Sequence, residues 1–134
     1  MVVLFPVTLL IVFAIIQFGV WYHAADVAHA AAEEGVRAAR VEGGTAQAGA
    51  ERADQVLDEN AGSLIIDRRV VPSRDANVAR VEISGRSVRI VPIPLLVLPI
   101  HAVAESPVER FRPDPAALGA REGGARPAAP VGGP

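Results

Sequence analysis

Three residues at a ligand-like spacing raise the question of metal chemistry. His23-x-x-Asp26-x-x-His29 sets two imidazoles and a carboxylate at steps of three. On a helix of 3.6 residues per turn, such steps fan the side chains over about 120°. A cation there would be held loosely. The specific helical pattern places two histidines at i, i+4 with a glutamate between them. We read the cluster as solvated helix surface and expect no metal. His101 stands alone. Glu33-Glu34 and Asp58-Glu59 are adjacent pairs, and neighbours on a helix point about 100° apart, so they form no acid–base dyad. No G-x-S-x-G, P-loop or dinucleotide-binding glycine pattern occurs, and Ser73, Ser84, Ser87 and Ser106 lack a nucleophile's context. The chain has no cysteine, which excludes thiolate zinc sites, iron–sulfur clusters and thiol nucleophiles. We expect no enzyme, with no catalytic residue, no cofactor and no small-molecule substrate.

Charge narrows the partners. The 134 residues carry 13 basic and 15 acidic side chains, a net charge of -2. That balance excludes a generally basic nucleic-acid binder, and the arginines lack interleaved aromatics for base stacking. The charges are segregated. Residues 23–62 hold three arginines against eight acids, and residues 63–112 hold eight arginines against five. An acidic helical region and a basic region beyond it could attract each other, or could be ordinary solvated surface.

The elements that must position these residues begin with an apolar run. Met1 to Tyr22 (MVVLFPVTLLIVFAIIQFGVWY) contains no charge. As a helix it rises about 33 Å, against a hydrocarbon core of about 30 Å. Pro6 falls in the first turns, where proline costs least, and Trp21-Tyr22 stand where interfacial aromatics do. The sequence therefore predicts a transmembrane helix over 1–22. A cleaved export signal is the alternative, since Ala28-His29-Ala30 suits signal peptidase. Against it, the apolar run exceeds the usual 7–15 residues and no basic segment precedes it.

Helical periodicity continues beyond Tyr22 as a stalk over 23–42. Ala24, Ala28, Ala31, Gly35 and Ala39 share one small, smooth face, of the kind that lets helices approach closely. With Gln17 and Gly19 they form the expected helix-packing or partner interface. Gln17 is the one amide in the apolar run, either tolerated near the headgroups or hydrogen-bonded between helices. Gly43-Gly44 ends the helix. A second helix is expected over about 46–60, capped by Thr45 and stopped by Gly62. The period then changes to two. Leu64–Val71, Val78–Ser84 (with Ser87–Val91 as a continuation) and Ile100–Arg110 predict a small antiparallel sheet of about three strands packed on the helices.

Between the last two strands runs an apolar, proline-rich link. It is too short to span a membrane and too apolar for an ordinary exposed loop. It either folds back over the core or presents Leu95, Leu96, Val97 and Leu98 to lipid or a partner. From Pro113 the chain is rich in Pro, Gly and Ala, the composition of a disordered tail. The fold class is thus α+β: membrane helix 1–22, stalk 23–42, α+β head 45–112 and tail 113–134.

Two stretches carry a resemblance. Ile15-Ile16-Gln17-Phe18-Gly19 follows an apolar run with Pro6, and Ala31-Ala32-Glu33-Glu34-Gly35-Val36-Arg37-Ala38-Ala39 follows in turn. This order resembles TadE-like (TadE/TadG-like) proteins of the Tad/Flp tight-adherence pilus system. The resemblance implies a minor pseudopilin or accessory assembly component, anchored in the cytoplasmic membrane with its head outside. It implies membrane lipid and other pilins or Tad assembly proteins as partners. The basic leader, cleavage-site glycine and early mature glutamate of such pseudopilins have no counterpart before Val2. Two expectations stay open: a leader lost upstream, or an unprocessed accessory protein.

Overall fold

The computed structural model describes residues 2–91 and 96–110. The tail expected over 113–134 and Leu95 of the apolar link lie outside the described residues.

One helix, α1 (Leu4–Arg40), carries both the apolar run and the residues beyond it without a break. Its 37 residues rise about 55 Å. Pro6 sits in the first turn, where its missing N–H has no intrahelical partner to lose. The helix stops where Val41 becomes extended and Gly43 takes φ +77°. Helix α2 (Ala46–Asn60) follows, with the Thr45 hydroxyl accepting from the Ala48 N–H at 3.0 Å. Gly62, at φ +46°, turns the chain out of α2 into a short 3-10 turn, Gly62–Leu64. Both predicted end signals are realised.

Three antiparallel strands complete the head: β1 (Ile65–Arg74), β2 (Val78–Ser87) and β3 (Pro99–Pro107), in the order β1-β2-β3. α1 underlies β3 and β2, and α2 underlies β1. The inner face of the sheet carries Ala79, Val81, Ile83, Ile100 and Ala102, all buried. The other face carries Arg80, Glu82, His101 and Glu105 to solvent, the one-sided alternation of an antiparallel sheet.

Three details differ from the sequence reading. β1 runs through Pro72 to Arg74, with Pro72 opposite Val81; an edge strand tolerates proline because its outward N–H has no ladder partner. β2 does not break at Ser84 but continues through Gly85-Arg86 to Ser87. Its partner bends instead: the register shifts between Ile66 and Arg69, with Asp67 at φ 52°, a bulge in the edge strand. Finally, most of the stalk expected over 23–42, outside the head at 45–112, packs into the head. Ala24, Val27, Ala28, Ala31, Ala32, Val36 and Ala39 are core residues of the head. Small side chains make that burial possible, because α2 and the sheet close directly onto the helix.

Candidate functional site

The small-residue face of α1 is filled by the chain itself. Ala24, Ala28, Ala31 and Ala39 are completely buried. At Gly35 the two helices meet backbone to backbone: a Cβ there would lie 2.7 Å from the Gly49 carbonyl oxygen and 3.0 Å from Ala53 Cβ. Gly49 is its counterpart, where a Cβ would lie 2.8 Å from the Gly35 carbonyl oxygen. Of the seven residues proposed for this face, Gly19 alone stays exposed, with nothing within 4 Å of a built Cβ.

The lower half of α1 is different. Val2 to Ile16 are exposed throughout, although all but Pro6, Thr8 and Ala14 are Val, Leu, Ile or Phe. An apolar sleeve of this length is too large for an ordinary water-facing surface. With Phe18, Gly19 and Tyr22, which are exposed too, it approaches the length of a bilayer span. On one side of the helix the sleeve gives way at Gln17 to contact with the head, while Phe18, Gly19 and Tyr22 remain exposed on the other.

Gln17 is 1% exposed. Its Nε2 donates to the Val88 carbonyl at 3.1 Å, and its Oε1 accepts from the Ile90 N–H at 3.1 Å. One amide thus satisfies both backbone groups around Arg89. One turn further, Trp21 Nε1 donates to the Pro99 carbonyl at 3.0 Å. Gln17 and Trp21 therefore hold the two ends of the β2–β3 connection against α1. The sequence singled out Gln17 as the lone amide of the apolar run. Its partners were not readable, because they lie 71 and 73 residues away. The described part of the link divides: Val91 is buried, Leu96, Val97 and Leu98 are half-buried, and Ile90 is exposed.

The charged groups mostly tie the head together. Arg68 of β1 reaches Asp58 at 2.7 Å and Asp54 at 3.6 Å on α2, an attraction of the kind expected between the acidic and basic regions. The hydrogen bond that Arg68 donates to Asp58, opposed by desolvation, leaves the guanidinium pKa raised. On the solvent face of the sheet, His101 Nε2 lies 2.9 Å from Glu82 Oε1, and Arg80 reaches Glu82 Oε2 at 3.1 Å. Those partners, His101 foremost, hold the Glu82 carboxyl below the usual glutamate range. At the end of the head farthest from the sleeve, Arg74 donates to the Gly44 and Val41 carbonyls, and Arg110 donates to the Ala76 carbonyl and Asn77. Glu109 N–H donates to the last helical carbonyl, Arg40, at 3.0 Å.

His23, Asp26 and His29 all lie on the exposed side of α1. His23 and Asp26 line an open groove with Val27, Ala30, Val56 and Asn60, and His29 does not. No group of potential ligands among the described residues is arranged to hold a metal ion.

No curated protein and no solved structure matches the chain. A family model does: that of TadE-like protein, over residues 1–37. The match covers the apolar sleeve and continues into the part of α1 that forms the core of the head. An exposed apolar helix long enough to cross a membrane and this match together fit a membrane-anchored protein that is similar, over its first 37 residues, to the TadE-like family.

Proposed function

We propose that the chain is a non-enzymatic, single-pass membrane protein acting as a TadE-like minor pseudopilin or accessory component of pilus assembly or secretion. In this reading the sleeve of α1 sits in the cytoplasmic membrane and the head lies on the extracytoplasmic side. One observation carries it: α1 is a single helix whose first half is apolar and exposed and whose second half is the core of the head. Membrane anchor and folded domain are therefore one rigid piece. The arrangement also suits transfer from lipid to a protein assembly. The sleeve could exchange acyl chains for the apolar helices of other subunits and keep its burial in both states. Gly19 offers the closest approach on that sleeve for a partner helix.

The reading as a secreted binding protein, released after Ala30, fits less well. Cleavage there would remove Gln17, Trp21, Ala24, Val27 and Ala28 from the packed head.

Two experiments in the native host test the proposal. Carbonate extraction should leave the protein in the membrane pellet, and deletion should abolish pilus-dependent surface attachment. A protein released by carbonate, or attachment unchanged by deletion, would overturn it. Gly19→Leu should weaken co-purification of pilus proteins while leaving the head as stable as before. Unchanged co-purification would move the partner contact elsewhere on the sleeve.

A further inference from the structure

The apolar surface of α1 does not stop at Gln17. Phe18 is 58% exposed and Tyr22 is 63% exposed, and the first exposed charge comes only at Asp26. From Leu4 to Tyr22 the helix rises about 27 Å, close to a hydrocarbon core of about 30 Å. Lipid that covers this surface reaches the level of Tyr22, and Gln17 lies about 7 Å below that level. Gln17 is also where the β2–β3 connection is fastened, on another side of the same helix. The connection therefore reaches below the lipid surface.

Its chemistry fits that depth. Irregular backbone survives at membrane depth only where its polar groups find partners within the protein. Gln17 supplies one donor and one acceptor to Val88 and Ile90, and Trp21 supplies a donor to Pro99. Apart from Arg89, the side chains turned outward there are apolar: Ile90 is 53% exposed, and Val97 and Leu98 are half-exposed. Arg89, exposed between the two backbone groups that Gln17 holds, has the length to carry its guanidinium up to lipid phosphates.

We propose that the described flanks of the β2–β3 connection, Val88–Ile90 and Leu96–Leu98, form a second, shallow membrane contact. Gln17 pins them at acyl-chain depth in the head-side leaflet, so that Ile90 and the Leu96–Leu98 segment lie in lipid beside α1. This rests on the reading of the α1 sleeve as a membrane span. The head is then seated on the bilayer at two places, and the connection acts as a wedge that fixes its height and facing.

The absence of cysteine allows single probes to be placed freely. The full chain is labelled with an environment-sensitive fluorophore at Phe13→Cys, Ile90→Cys, Val97→Cys or Glu105→Cys. Each is reconstituted in phosphatidylcholine–phosphatidylglycerol vesicles carrying lipids brominated either near the headgroup or near the chain end. The labels at 90 and 97 should emit blue-shifted light and lose more of it to shallow than to deep bromines. The label at 13 should be quenched by deep bromines, and the label at 105 by neither. Quenching at 13 without quenching at 90 and 97 overturns the wedge and leaves the span standing. No quenching at 13 overturns the span itself, and the wedge with it. A blue shift at 90 and 97 without quenching means that protein, such as a second copy, covers the link, and also overturns lipid contact. With Gln17→Leu, the label at 97 should lose part of its quenching while the label at 13 keeps its own. Unchanged quenching at 97 would show that Gln17 does not set the depth.

Discussion

At the residue scale, Gly35 and Glu82 make opposite kinds of contribution. Gly35 matters for what it lacks. The nearest obstacle to a side chain there is the Gly49 carbonyl oxygen, which belongs to backbone and cannot swing aside. Gly35→Ala should therefore destabilise the head by about 1–3 kcal/mol, the usual cost of overpacking, read from denaturant unfolding in detergent micelles. Gly19→Ala, in open surroundings, is the control and should leave the midpoint in place. Glu82 contributes through its charge. Its folded pKa lies below the unfolded one because His101 and Arg80 favour the ionised form. Asp75 is lowered likewise, by the backbone N–H groups of Asn77 and Val78. A lowered carboxylate stabilises the fold above its unfolded pKa, and that stability is lost as the pH falls through the folded value. The melting midpoint should thus drop below about pH 4, and Glu82→Gln should flatten part of that drop. The special status of Gln17 was legible because one amide in 22 uncharged residues stands out. What it binds was not, because the fold alone brings residues 88 and 90 to residue 17.

At the element scale, the continuity of α1 was legible in the sequence. Hydropathy changes near Tyr22, but the helical periodicity runs on past it, and α1 is one helix from Leu4 to Arg40. The alanine face was legible as a packing face. The identity of the surface that fills it was not, since small residues suit a neighbouring subunit and an internal helix equally well. The first strand was expected to stop at Val71, before Pro72, but proline forbids a central strand and not an outward-facing edge. A fragment beginning at Ala31 should fail to fold cooperatively, because it lacks Ala24, Val27 and Ala28 of the core. Amide exchange would show this as uniform lack of protection, whereas a protected β2 would mean that the head closes without the first half of α1. The pairing of Arg68 with α2 is a smaller effect. Arg68→Met should cost no more than about 1 kcal/mol, as partly exposed ion pairs do, and the loss should shrink in high salt.

At the scale of the whole molecule, the continuity of α1 from anchor to head is the dominant feature. The helix rises about 52 Å between residues 5 and 40, and Glu109 is bonded to its last carbonyl. Spin labels at Phe5→Cys and Glu109→Cys should therefore give one narrow distance distribution in bilayers. A broad distribution would reveal a hinge that the continuous helix does not have. The unbroken helix also makes the molecule a lever. Spanning helices tilt by about 20° on average, and by more where the bilayer is thin. From Tyr22 to Arg40 the helix rises about 27 Å, so such a tilt carries the far end of the head sideways by about 9 Å. Nothing along Leu4–Arg40 absorbs that swing. The arginine-laced loops at the tip would thus act as a pointer whose bearing reports the thickness of the bilayer beneath it.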